Sequence, residues 1–281
     1  MTTLIAWMSR SGSAERTLYL GADSLGTGRE NPAINKTFVR KVYASSGTPE
    51  IFSLSGDDVG AGQNFLRRLV KDINDNSSDE NRSQVGVIDR VTDFTKHPAA
   101  SVGRSANLDI LHVVRDGIGD AASFTIFRLL SPNKSNAEWR IERIPECRFP
   151  KGNSVLICCL GSGKQAYTKR LDTLVLQDQG YVARQYFWAL CDIVGGKPNP
   201  KIMTGGVPQL AKLGQAGNGL LAGVHYDGKP YVAGSLVSNP QDHTEFWVNE
   251  TFTACDPTTG CPLSRAQVYG RRKEEDETLS R

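Results

Sequence analysis

The apolar runs of this sequence are short and come in pairs, with turn residues between the members of each pair. Paired runs of that kind read as β-hairpins, and hairpins build antiparallel sheets. Residues 2–8 and 17–22 flank a polar stretch that holds Gly12. Residues 38–44 and 51–54 flank Ser45, Ser46, Gly47 and Pro49, and residues 123–130 and 138–144 flank Pro132, Asn133 and Lys134. Residues 220–226 and 231–233 flank Asp227-Gly228, a strong hairpin turn. Runs at 155–160 and 209–213 add single strands.

A helical period sets in between these groups. Phe65, Leu66, Leu69, Val70 and Ile73 share one face of a helix expected over residues 59–73. Leu108, Leu111 and Val114, behind Ser105 as N-cap, predict a second helix over 105–114. Residues 164–177 and 181–194 carry two more. Residues 74–81 are rich in Asn, Ser and Asp and read as a loop, the stretch on to about residue 101 has weak periodicity, and an irregular insertion is expected around 74–104. The order is hairpin, hairpin, helix, helix, hairpin, strand, helix, helix, hairpin, without βαβ alternation. Grouped strands and grouped helices predict an α+β fold with two antiparallel sheets and helices outside them. The expected domain covers residues 1–253, and a polar C-terminal extension over 254–281 is expected to be disordered in its last ten residues.

Charge and cysteine usage remove several function classes. Net charge is only +3 on 33 basic and 30 acidic residues, with no basic stripe, so no nucleic-acid partner is expected. Arg271, Arg272 and Lys273 run straight into Glu274, Glu275 and Asp276. No apolar run approaches the roughly 20 residues of a membrane span, and the first residues lack a signal-peptide pattern; the expectation is a cytoplasmic protein with no membrane partner. Six cysteines fit a reducing compartment. Cys147, Cys158, Cys159 and Cys191 read as buried thiols. Cys255 and Cys261 bracket Asp-Pro-Thr-Thr-Gly, as a loop disulfide or as two separate thiols; a zinc site would need two further ligands. His97, His112, His225 and His243 form no ligand spacing, and Gly161-Ser162-Gly163-Lys164 is too short for a phosphate loop. No metal or cofactor is expected.

The candidate chemistry lies at the start of the chain, Met1-Thr2-Thr3-Leu4-Ile5-Ala6. A small second residue favours removal of Met1. Thr2 would then carry a hydroxyl and a free α-amine, a nucleophile and base in one residue. An α-amine has an ordinary pKa of about 7.7–8.0, so a useful fraction is neutral near pH 7.

From Thr2 onward the chain resembles the proteasome β-subunits and the related threonine-peptidase subunit of the bacterial heat-shock protease. The resemblance rests on the order of short steps: Thr2-Thr3-Leu4-Ile5-Ala6, Gly21-Ala22-Asp23-Ser24, Thr27, Arg40-Lys41-Val42, Leu54-Ser55-Gly56, Leu160-Gly161-Ser162-Gly163 and Thr204-Gly205-Gly206-Val207. It spans about residues 2–233. It implies a four-layer αββα sandwich of the N-terminal-nucleophile (Ntn) hydrolase type. It also implies that Thr2 is the nucleophile, that Asp23 and Lys41 support it, and that the Gly56 N–H serves as oxyanion donor. Ser162, a late Asp and Thr204 would surround the α-amine. Thr27, Leu54 and Asp58 would line the substrate site, with Asp58 favouring Lys or Arg before the cut bond. For Asp57 and Asp58 the other reading is N-capping of the next helix. The late Asp of the family falls here on Lys201, and the nearest upstream carboxylate is Asp192.

The implied activity is a threonine endopeptidase inside a homo-oligomeric ring, acting on peptide or protein. A separate ATPase unfoldase would be its partner, since no ATPase motif is present. A small-molecule amide hydrolase on the same fold and a non-catalytic assembly protein are the alternatives.

Overall fold

Along the first strand Leu4, Ala6 and Met8 alternate with Ile5 and Trp7, and both sets are buried. A strand with two buried faces must lie inside a layered structure. In the computed structural model the described residues are 2–11, 15–27, 36–57, 59–76, 84–96, 107–131, 139–145, 153–178, 181–196 and 204–263. Strand β1 (Leu4–Ser11) pairs antiparallel with β2 (Glu15–Ala22) from Leu4↔Ala22 to Ser11↔Glu15. On its other side β1 pairs with β10 (Ser154–Leu160), across an irregularity between Ala6 and Trp7. The eight-stranded sheet runs β10-β1-β2 and then β11 (Gln209–Leu213), β12 (Leu220–Tyr226), β13 (Lys229–Val232) and β14 (Ser235–Leu236). Strand β15 (Trp247–Asn249) joins β12 in parallel.

A second, antiparallel sheet runs β5 (Val42–Ala44), β6 (Glu50–Gly56), β7 (Leu108–Asp116), β8 (Ser123–Leu130) and β9 (Arg140–Ile144). A two-stranded ribbon, β3 (Leu25–Thr27) with β4 (Lys36–Phe38), stands apart from both. Four α-helices complete the described elements: α1 (Val59–Asp75), α2 (Gln84–Lys96), α3 (Lys164–Asp178) and α4 (Ala183–Gly195).

Three apolar layers hold these elements together. Between the sheets, Leu4, Ala6 and Leu20 meet Ile51, Leu111 and Val113. On the outer face of the eight-stranded sheet, Ile5 and Trp7 meet Tyr167, Leu171 and Phe187 of α3 and α4. On the outer face of the five-stranded sheet, Phe52 and Leu54 meet Phe65, Leu66 and Ile73 of α1 and Val91 of α2. The period-2 alternation of β1 and β6 therefore divides each strand between a shared core and its own helix layer. Fully burying one such side chain contributes about 1.5–3 kcal/mol.

The α+β composition and most of the expected elements stand. Three expectations are corrected. Of the helix expected over 105–114, Ser105 and Ala106 lie outside the described residues, and the rest is no helix: Leu108–Asp116 is strand β7, paired on both edges with β6 and β8. Leu108, Leu111 and Val114 are three apart because both faces of the strand are buried, and its Ile and Val residues favour a strand. The irregular insertion contains helix α2, which Val91 and the Phe94 ring, edge-on to Phe65 at 5.4 Å, pin to the sheet side. Phe38 also leaves the expected second hairpin and pairs with Leu25 in the ribbon. Cys159, Cys191 and Cys255 are buried, Cys158 is half-buried and Cys261 is exposed, and none of these five is in a disulfide; Cys147 lies outside the described residues. The chain stays packed through Leu263, with bridges Val248↔Ala254 and Cys255↔Pro262; the expected disorder of the last ten residues lies outside the described residues. No helix among the described residues is long and apolar enough to cross a membrane.

One buried charge cluster ties α2 to the five-stranded sheet. Glu50 accepts from Arg90 Nη2 at 2.6 Å, and its other oxygen lies 2.8 Å from His112 Nε2. Burial alone would raise the Glu50 carboxyl, but its bond to His112 and the charges of His112 and Arg90 hold it below the ordinary 4.5. Glu50→Gln is expected to cost about 3–5 kcal/mol of unfolding free energy, because Arg90 stays buried without its counter-charge. A carboxyl held lower in the folded chain than in the unfolded one contributes stability that is fully present above 4.5 and disappears as pH falls through the folded value. Urea unfolding between pH 7 and 3 should show the wild type losing more stability on acidification than Glu50→Gln; parallel losses would refute this role for the cluster.

Candidate active site

The β1–β2 ladder continues one residue beyond its ends. Asp23 N–H donates to the Thr3 carbonyl at 3.2 Å, and Thr3 N–H donates back to Asp23 Oδ1 at 2.9 Å. That places the Asp23 carboxylate beside the peptide bond joining Thr2 to Thr3. Lys41, in the short segment between β4 and β5, donates from Nζ to the same Asp23 Oδ1 at 2.9 Å and to the Leu25 carbonyl at 2.7 Å. Both side chains of the ion pair are fully buried. Burial lowers the Lys41 pKa from its ordinary value, and Asp23 opposes that shift by its charge and its hydrogen bond. A lysine ammonium has three donors, and these two bonds use two of them. Thr2 is 1% exposed, and its hydroxyl has no hydrogen-bond partner among the described residues.

The late glycine step closes the site from the other side. Gly205 N–H donates to Asp23 Oδ2 at 3.3 Å, and Leu25 N–H donates to the Gly205 carbonyl at 3.0 Å. The hydroxyls of Thr204 and Thr3 lie 2.8 Å apart. Val207 N–H donates to Ser24 Oγ at 2.7 Å. The turn between β10 and α3 packs on the same corner: Gly163 N–H points to the Thr2 carbonyl at 3.4 Å. A Cβ on Gly163 would stand 1.8 Å from Thr3 Oγ1 and 2.5 Å from Thr204 Oγ1, so only glycine leaves room for that hydroxyl pair. Gly161 has φ +87°, the left-handed region that glycine enters without penalty.

The structure thus brings Thr2, Asp23, Lys41 and Thr204 together. Ser162 sits, exposed, between the two glycines that pack on Thr2. Gly56 closes β6, paired with Leu108. Asp192 lies in α4, where its carboxylate takes Arg170 Nε at 2.7 Å; the carboxylate that bonds the Thr204–Gly205 step is Asp23. Leu54 is fully buried in the apolar layer beneath α1, where a substrate-lining residue would be open to solvent. Thr27 ends β3, and its side chain, like Asp58 and Lys201, lies outside the described residues. Asp57 is exposed and accepts from Asn107 Nδ2 at 2.8 Å.

Two residues of this site escaped the sequence. Thr3 supplies both a main-chain bond to Asp23 and a hydroxyl to Thr204; its adjacency to Thr2 was the only signal. Gln209 is fully buried and bonds the main chain of both Asp23 and Lys41. A single glutamine at the start of an apolar strand carries no sequence signal for such a role.

No family model and no curated protein matches the chain. Among solved structures, the chain is similar to an Anbu (Gly-1) mutant from Hyphomicrobium sp. strain MC1. The identity is 13%, the match covers 84% of this chain and 89% of that one, and the TM-score is 0.45. A likeness this distant carries no statement about chemistry.

Proposed function

We propose that the protein is a threonine-type hydrolase of the Ntn kind that cleaves peptide bonds, with Thr2 as nucleophile. One observation carries the reading. A buried lysine ammonium is held by the same carboxylate oxygen that accepts the Thr3 N–H, and Thr2, the residue before Thr3, carries a buried hydroxyl with no partner among the described residues. An orphaned buried hydroxyl costs about 1–3 kcal/mol, and a buried lysine held by a specific charge partner marks a candidate functional site. The αββα layering and the resemblance of the short steps around Asp23, Lys41 and Thr204 support the same reading.

Removal of the residue before Thr2 frees the α-amine. That amine takes the Thr2 hydroxyl proton as the oxygen attacks the carbonyl carbon of the scissile amide. The third N–H of Lys41 is assigned to the developing alkoxide, and the Gly56 N–H to the oxyanion, where such a donor contributes about 10²–10³ in rate. Collapse breaks the C–N bond, the leaving amine departs with the proton, and an ester on Thr2 remains. A water, deprotonated by the same amine, hydrolyses the ester. The hydroxyls of Thr204 and Thr3 and the turn that carries Ser162 hold the corner around that amine. By the resemblance, the enzyme works as a homo-oligomeric ring that receives its substrates from a separate unfoldase.

Thr2→Ala and Lys41→Ala should each lower turnover of fluorogenic peptides at least about 10³-fold. Thr2→Ala should keep the wild-type circular dichroism spectrum and melting temperature. Intact mass should show a chain beginning at Thr2 that gains one equivalent of an electrophilic peptide inhibitor. Full activity in either variant overturns the assignment. The nearby Lys41 charge lowers the α-amine pKa, so the acid limb of kcat/KM should fall below about 7.7; a limb above 8 would contradict the proposed base. Light scattering that finds a monomer removes the ring and leaves the nucleophile untouched.

A further inference from the structure

From the hydrogen bonds of one buried amide we infer that Gln209 is a positioning residue, which clamps the main chain of Asp23 to that of Lys41 and so sets the geometry of the ion pair beside Thr2. Its catalytic consequence rests on the proposed hydrolase function; its structural consequence does not.

Gln209 opens β11 opposite Ala22, the last residue of β2. Its side chain is fully buried and uses its whole hydrogen-bonding capacity. Oε1 accepts from Lys41 N–H at 2.8 Å and Val42 N–H at 3.3 Å. Nε2 donates to the Val39 carbonyl at 2.6 Å and the Asp23 carbonyl at 3.4 Å. Residues 39–41 lie between β4 and β5; the Lys41 carbonyl takes the Leu54 N–H of β6 at 2.9 Å, and the Lys41 N–H is left to Gln209. The amide acts there as a rung, running from the eight-stranded sheet to the segment that enters the five-stranded one. Gly234 lies against this amide: a Cβ there would stand 2.9 Å from Gln209 Nε2.

A merely structural rung could join any two strands. This one joins the two backbone points from which the charged side chains hang. Lys41 reaches Asp23 through a long, flexible stem, so the 2.9 Å contact depends on where its main chain is anchored. In a dry site the attraction changes steeply with distance. Lys41 stands between two opposed effects, burial lowering its pKa and Asp23 raising it. Slack in the clamp weakens the second and leaves the first.

The test is Gln209→Met, which keeps the length of the side chain and removes all four bonds. The Lys41 ammonium is titrated directly by NMR of 15N-labelled protein, alongside peptide kinetics. The expected result is a Lys41 midpoint lower by about one pH unit. The expected kinetic signature is kcat reduced at least about tenfold with KM within about threefold. A folded variant with the wild-type Lys41 midpoint overturns the inference. If Gln209→Met does not fold, Gln209→Glu serves. It retains the acceptor for Lys41 N–H and gives up amide hydrogens, and it should lower kcat at near-constant KM with a displaced pH profile. A wild-type profile in that variant, or failure of both variants to fold, reduces Gln209 to a structural rung. If the wild type shows no Thr2-dependent turnover, the functional reading fails, and the Lys41 titration alone decides the role of Gln209.

Discussion

The Lys41–Asp23 ion pair is a charge pair with no access to water, and that burial makes demands on everything near it. A carboxylate removed from water needs several donors, and a buried ammonium needs acceptors. Asp23 receives Lys41 Nζ, Thr3 N–H and Gly205 N–H. Lys41 gives a second hydrogen to the Leu25 carbonyl. Four separate stretches of chain therefore converge on two side chains. Deleting either partner would leave an unpaired charge in the interior, and the local fold around Thr2 is arranged so that neither is left alone.

The sheets supply the convergence. The ends of β1 and β2 present Thr3 and Asp23 side by side because their ladder runs on past Leu4↔Ala22. Strand β11, on the other edge of β2, brings the Thr204–Val207 step and Gln209 to the same end. Strand β5 belongs to the second sheet, so the segment just before it crosses between layers with Lys41 on it. The site therefore sits where one sheet hands the chain to the other, a place where main-chain groups leave the ladders and need other partners. Gln209, Ser24 and Ser53 provide them: the Ser53 hydroxyl donates to the Lys41 carbonyl at 3.0 Å, and Ser24 accepts from Val207.

The cluster of Glu50, Arg90 and His112 is a useful contrast. It too is a buried carboxylate with two partners, and His112 also stacks on Phe52 at 4.2 Å. Yet both of its oxygens are matched, by Arg90 and His112. Its work is to hold α2 against the sheet. The Thr2 corner differs in keeping one hydroxyl without a partner among the described residues and one lysine hydrogen unspent by its two bonds.

Periodicity along the chain determined the local elements: the β1–β2 hairpin, helix α1, the pair α3 and α4, and the Asp227-Gly228 turn. In each, neighbours only a few residues apart impose the pattern. Where both faces of a strand are buried and polar His112 and Arg115 lie among the buried residues, as at Leu108–Asp116, no period-2 alternation showed and a strand passed for a helix. Helix α2, which Val91 and Phe94 join to the core, follows a stretch rich in Asn, Ser and Asp and reads with it as irregular. The order of short steps pointed to Asp23, Lys41 and Thr204 before any contact was known. Their union was decided by tertiary structure alone, as were the parts played by Thr3, Gly205 and Gln209. Hydrogen bonds between residues 18, 182 and 201 positions apart depend on strand register and sheet order, and those are properties of the packed layers rather than of any stretch of chain.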